Sequence, residues 1–480
     1  MLRSYLLAAA VVTTAVLGLT GAASAQNPPA GFTYETLVDG PLQSATAMAF
    51  LPDGRLLITE RATGNVRLFA NGQLAGSPWA NIQVHSGGPF AEAGLLGIAV
   101  DPDFLNNRYV YVYYTAPGGS ENHIARLQDI NGSGQNLTVL TQPGAITAQL
   151  YHNGGTMVFG HDGTLFVGTG DALGAALAQD LNSWRGKVLR FEVPNLTVPA
   201  DNPFSGSAVY TYGHRNQFGL TIHPVTGDVF QTENGGGWMD EINRLLPGGN
   251  YGWPIVEGQE LTPDPALIDP MQHFQPTLAP TGCCFYSGDH YPANYRNAWF
   301  YTTYNTNELS VAWLDPTGST ITGTAVFDQL PGHGFVVQQG PDGNLYYLTN
   351  DGGGYGADEL GRYVHQSEPA VSTQLSSVSN KTLGGSATIC TRAPQNSLCV
   401  PWLSFSRLPS ALATPFGGFW VPMDSVLWTM NVTADNRAYR GLEVPNAPAF
   451  LGSSLHCQSA ALTQFGQLVL SNPTELVIRG

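Results

Sequence analysis

The chain has 480 residues, more than one ordinary core accommodates, so one large and one smaller domain are expected. Charged residues make up only 11%, while 57 glycines, 33 prolines and 10% aromatics suit short strands joined by turns and exclude a long-helix architecture. A net charge of −16 repels phosphate backbones and argues against nucleic acid as a partner.

At the N-terminus, Arg3 precedes a short apolar run from Ser4 to Leu19, and Ala23-Ser24-Ala25 fits a small-x-small cleavage site. Residues 1–25 read as a cleaved signal peptide, and the mature chain as secreted or periplasmic. The apolar run is too short, and too interrupted by Gly18, Thr20 and Gly21, for a membrane anchor; no later segment could span a bilayer. Export would place the five cysteines in an oxidising compartment. Cys390 and Cys399 could close a small loop, and adjacent Cys283 and Cys284 could form a strained bridge, leaving Cys457 over; buried thiols are the alternative.

After a lead-in from Phe32 to Val38, residues 47–61 read as strand, Pro52-Asp53-Gly54 turn, strand. The phrase returns at 97–114, 157–171, 220–234 and 337–350, and in worn form at 295–301. Pro presets the first turn position, Asp bonds its own backbone and Gly accepts positive φ. These copies predict an all-β fold with a six-bladed β-propeller over residues 26–366, each copy being the inner hairpin of one blade. Residues 367–371 read as a linker, and 372–480 as a small C-terminal domain, all-β and β-sandwich-like.

Propeller ligands bind at one end of the central channel, so polar residues capping the blade phrases are the candidates. His152 starts one hairpin and Asp171 ends it. Antiparallel pairing brings these ends to one sheet edge, where an imidazole and a carboxylate can act as base and orienting partner; both could equally be turn residues. A second set is His214, Arg215 and Asn216, where a fixed Arg suits an anionic ligand. In a third, residues 231–243, glycines expose carbonyls and Glu233, Asp240 and Glu241 add negative charge, which suits calcium without an EF-hand spacing.

The order His152-Asn-Gly-Gly, Gly-Thr-Gly-Asp171, Trp184-Arg-Gly-Lys-Val-Leu-Arg190, Gly213-His-Arg-Asn216 and Asp240-Glu-Ile-Asn243 to Tyr251-Gly-Trp-Pro254 resembles the soluble glucose/sorbosone dehydrogenase family. Thr59-Glu-Arg61, Gly94-Leu-Leu-Gly97 and Ala279-Pro-Thr-Gly282 extend the resemblance from about Phe32 to Val364, leaving the C-terminal domain outside it. The resemblance implies an exported oxidoreductase that oxidises an aldose or related sugar or polyol with pyrroloquinoline quinone (PQQ) and calcium, then reduces an external electron acceptor. It implies His152 as the base that takes the sugar hydroxyl proton and Asp171 as its support. Arg215 and Asn216 would hold cofactor oxygens, and the Gly235 carbonyl would bind calcium, with Gly236 where the family usually has Pro.

Three departures bear on the cofactor. At cofactor-binding positions Glu92 replaces a Gln, Asn305 a Lys, and His333 and Phe335 the two Arg of an Arg-x-Arg. PQQ carries three carboxylates, and each lost charge-assisted bond is worth about 1.5–3 kcal/mol. The alternative is a propeller that has lost PQQ and binds a carbohydrate or a protein partner. A third possibility, a lactonase-type hydrolase, needs a metal cage that the sequence does not display.

Overall fold

The computed structural model describes residues 26–259, 264–350, 356–366, 371–377 and, with short breaks, 383–479. The expected signal peptide and most of the expected linker lie outside the described residues. Among those described, no helix is long and apolar enough to cross a membrane.

Six antiparallel sheets follow one another along the chain, five of four strands and one of five. Their innermost strands are Ala45–Phe50, Leu95–Val100, Met157–Phe159, Gln217–Ile222, Pro280–Phe285 and His333–Gln339. Each abuts the next, and the last abuts the first, so the sheets are blades 1 to 6 of a closed propeller. Second strands such as Leu56–Glu60, Leu165–Thr169 and Leu345–Asn350 are buried along their whole length, because neighbouring blades cover both faces. The outermost strand of blade 6 is the N-terminal Phe32–Asp39, which pairs antiparallel with Glu359–His365 and closes the ring.

The repeated turns behave as their chemistry requires. Gly54, Gly163 and Gly343 have φ of 86°, 80° and 77°, which side chains with a Cβ rarely adopt. The preceding Asp53, Asp162 and Asp342 each accept a bond from a main-chain N–H two residues on. In blade 5 the worn copy is not a tight hairpin. Pro280–Phe285 and Trp299–Thr303 are joined by a longer connection containing the short 3-10 turn Ala293–Tyr295.

The C-terminal residues form a three-stranded sheet of Ser372–Ser376, Ser386–Arg392 and Arg437–Glu443, and a six-stranded sheet built on Leu398–Ser404 and Ser454–Leu462. The two share one apolar core that includes Leu375, Ile389, Cys399 and Cys457. This unit sits on the propeller face that carries the Asp-Gly turns. Thr388 Oγ1 donates to the Pro52 carbonyl at 3.0 Å, and the Tyr439 ring fills the space where Gly54 lacks a Cβ. Arg437 Nε meets Asp342 Oδ2 at 2.8 Å. Ser376 and Ser377 line the far end of a central cavity of about 240 Å³ that reaches Arg61 and Glu92 at the other.

Neither possible disulfide forms, because Cys283, Cys284 and Cys399 are all thiols. Cys283 and Cys284 are successive residues of one strand, so they point to opposite faces. Cys283 joins a core with Phe230 and Trp299, and Cys284 one with Tyr286 and Phe300. Burial pushes the Cys283 thiol up to about 12. Both should resist a water-soluble thiol reagent in the folded protein and react after denaturation without any reductant. Reaction that requires reductant would overturn the assignment.

Asp342 joins the two units. Burial works against its charge, but Arg437 and Arg362 outweigh it and hold the carboxyl below its usual range. Arg362 in turn reaches Glu35 on the ring-closing strand at 2.6 Å. Asp342→Asn would remove the buried carboxylate that two guanidinium groups share and should cost about 3–5 kcal/mol in urea unfolding at neutral pH. A lowered carboxyl pKa contributes stability above its normal range and loses it in acid, so the difference should close as pH falls through the folded pKa.

Candidate active site

The loops at the opposite end of the channel bring together residues from several blades. His152 Nδ1 lies 2.8 Å from Asp171 Oδ1. The same carboxylate accepts Leu173 N at 2.9 Å and, through Oδ2, Trp253 Nε1 at 2.9 Å. An acceptor of three N–H groups fixes the proton of neutral His152 on Nδ1 and leaves Nε2 with a lone pair. Asp171 is 1% exposed and His152 half-buried, so the dyad has a dry back and an open front.

The backbone here is held in unusual shapes. His152, Ala172 and Leu173 have φ of 58°, 46° and 60°, in the left-handed region that costs non-glycine residues energy. The His152 carbonyl accepts Ala172 N at 3.0 Å, and its N–H donates to Glu92 Oε2 at 2.7 Å. A Cβ on Gly170 would stand 2.0 Å from the His152 carbonyl oxygen, so only glycine permits this approach.

Glu92 links the dyad to the next group. Its Oε2 also accepts Asn216 Nδ2 at 3.0 Å, and Asn216 Oδ1 accepts Gly154 N at 3.2 Å. Burial pushes the Glu92 carboxyl up against the opposing pull of His152, Asn216 and Arg215. Arg215 donates from Nη1 to the Asn234 carbonyl at 3.0 Å, and its guanidinium lies 5.6 Å over the Trp253 ring. His214 belongs elsewhere. It is fully buried, hydrogen-bonded to Glu233 at 2.9 Å and stacked on Tyr251.

Gly235 donates to Asp240 Oδ1 at 2.9 Å, and Gly236 donates to Glu257. Burial, and then the Glu233 carboxylate, push Glu241 up to about 8. Carboxyl groups crowd this loop, and burial with that crowding favours the neutral form of Glu241; among the described residues no three His, Cys, Asp or Glu side chains converge as a metal cage. A calcium ion here would lean on main-chain carbonyls.

Asn305 and His333 stand on blades 5 and 6. Exposed Asn305 donates from Nδ2 to the Thr277 carbonyl at 3.2 Å. His333 Nδ1 lies 2.6 Å from the Tyr304 carbonyl, and its ring stacks on Tyr304 at 4.0 Å. Phe335 is buried and lines the channel. The sequence does not single out Trp253, although it lies within one of the family-like motifs; its only local signal is an indole beside Gly252 and Pro254. Phe90, Trp238 and Ile255, on loops flanking these residues, are 65%, 72% and 67% exposed.

A closed propeller is the fold that the family resemblance implies, and comparison with known proteins finds the same family. The family model described as Glucose / Sorbosone dehydrogenase matches residues 42–357. The chain belongs to that family. It is 30% identical to the aldose sugar dehydrogenase YliI of Escherichia coli (strain K12), over 68% of this chain and 92% of that protein. A glucose dehydrogenase-type oxidoreductase structure from Thermus thermophilus is 36% identical with a TM-score of 0.62, covering 70% of this chain and all (100%) of that one. The PQQ-bound aldose sugar dehydrogenase of Streptomyces coelicolor is 29% identical with a TM-score of 0.60, covering 70% and 99%.

Trp253→Phe removes one of three donors to the buried Asp171 carboxylate. Unfolding stability should fall by about 1.5–3 kcal/mol in a urea titration. A loss below about 0.5 kcal/mol, on the order of an ordinary surface substitution, would show that the indole bond is dispensable.

Proposed function

We propose that this chain is an exported oxidoreductase acting on the CH–OH group of an aldose or related sugar or polyol, with PQQ and calcium at the channel mouth. The observation that carries the reading is the 2.8 Å contact of His152 with Asp171 beside Asn216 and Arg215. His152 Nε2 would take the hydroxyl proton, and Asp171 would hold the imidazole in the required tautomer and stabilise its charge afterwards. Bound there, PQQ would supply the two-electron acceptor. Arg215 Nε and Nη2, which make no hydrogen bond among the described residues, would grip an anionic oxygen of the cofactor. The second N–H of Asn216 would face a quinone oxygen, and the carbonyls of Gly235 and Gly236 would face calcium. The exposed apolar rim around Phe90, Trp238 and Ile255 is where an external electron acceptor would approach.

The residues fit the quinone end of the cofactor better than its carboxylate end. Asn305, His333 and Phe335 offer no permanent cation, and the His333 ring is already stacked on Tyr304. This wall favours the second reading, a propeller that has lost PQQ and binds a carbohydrate or protein. The experiment that separates them is calorimetric titration of the purified protein with PQQ in excess calcium, followed by dye reduction over a panel of sugars. Binding at micromolar concentration with sugar-dependent reduction supports the first reading; no binding at that concentration supports the second. His152→Ala should abolish turnover, by about 1,000-fold or more, while leaving PQQ bound.

Restoring cations gives an independent check. Asn305→Lys and His333→Arg should each tighten PQQ by about 10–100-fold, the equivalent of one charge-assisted bond. No gain from either would show that these positions do not face the cofactor.

A further inference from the structure

Glu92 carries chemistry that the amide at the equivalent family position does not. Its Oε2 accepts two hydrogen bonds, from His152 N at 2.7 Å and Asn216 Nδ2 at 3.0 Å. Those two bonds use both acceptor directions of Oε2. Oε1 accepts no hydrogen bond among the described residues, and Glu92 lines the central cavity. A proton on this carboxyl therefore belongs on Oε1, the oxygen left without a hydrogen-bond partner among the described residues, on a side chain that lines the cavity.

The charged surroundings are few. From blade 3 comes His152, backed by Asp171; from blade 4 comes Arg215. Arg61 of blade 1 also lines the cavity, but its guanidinium is committed to the carbonyls of Ser86, Gly88, Pro89 and Ala93. Burial outweighs the attractions of His152 and Arg215 and favours the neutral acid.

We propose that Glu92 acts as a neutral carboxylic acid, anchoring His152 and Asn216 through Oε2 and donating its Oε1 proton to an oxygen of the ligand at the mouth. This deepens the oxidoreductase reading and rests on it for the identity of that ligand, a sugar or a quinone oxygen. A protonated glutamate offers the same pattern as an amide, one oxygen accepting twice and one donor facing the ligand. The amide keeps that pattern at every pH. The glutamate loses it as pH rises through its own pKa, when the donor becomes an anion pointed at the ligand's lone pairs.

The test uses the full chain as wild type and Glu92→Gln. The first arm is the infrared difference spectrum of the cofactor-free proteins at about pH 6, where an ordinary glutamate is ionised. A protonated-carboxyl carbonyl band present in wild type and absent in the variant is expected; a carboxylate band in its place overturns the proposal. The second arm titrates PQQ, with calcium, across pH. Wild-type affinity should fall up to about tenfold per pH unit above the carboxyl pKa while the variant stays flat by comparison. The third arm follows KM for D-glucose across pH in the loaded enzyme. A slope difference between wild type and variant in PQQ affinity identifies a quinone oxygen as acceptor, and one in KM a sugar oxygen. Parallel profiles in both arms overturn the donor role. If neither protein binds PQQ at any pH, the cofactor reading falls; calorimetric titration with D-glucose across pH then decides the donor role. A pH slope present in wild type and absent in the variant supports it, and its absence, or no glucose binding, overturns it.

Discussion

The strand Phe32–Asp39 pairs with Glu359–His365, joining residues such as Glu35 and Arg362 that are 327 positions apart. Everything at the channel mouth depends on that closure. A ring fixes the spacing of its blades only when no gap remains, and the candidate site is assembled across blades. Glu92 reaches Asn216 over 124 residues, and Trp253 reaches Asp171 over 82. Loop-closure entropy opposes such long contacts, but it rises only with the logarithm of length, so one strand pairing with a buried ion-pair cluster behind it can secure them all. Asp342 is part of that cluster and also meets Arg437 of the C-terminal unit, so the added domain is tied to the seam of the ring.

Local chemistry was legible in the sequence. The Pro-Asp-Gly turns needed only a preset φ, a side chain that bonds its own backbone and a glycine, and all three are visible within a single turn. His152 and Asp171 could be placed at one sheet edge because a hairpin relates its own ends. What could not be read was contact between blades. Nothing near Trp253 announces a carboxylate 82 residues away. His214 was grouped with Arg215 and Asn216 by adjacency, but in the non-strand segment between Val209–Tyr212 and Gln217–Ile222 its side chain turns inward to Glu233 and Tyr251. Strand alternation separates Cys283 from Cys284, and that could have been anticipated once Pro280–Phe285 was taken as a strand.

The mouth has an uneven charge. One side holds a guanidinium, an amide and an imidazole; the other holds Asn305, a stacked His333–Tyr304 pair and Phe335. Glu92 stands at the first side with its carboxyl pushed up by burial. An anion held beside Arg215 would meet only aromatic and neutral groups across the opening, so ligands could be told apart there by where they carry negative charge.

Ser376 and Ser377 lie across the far end of the channel cavity. The C-terminal unit therefore supplies part of the channel lining while contributing no side chain, among the described residues, to the dyad. A change in how that unit seats would reach the mouth only along the channel wall, so the two ends of one cavity answer to two different units of the chain.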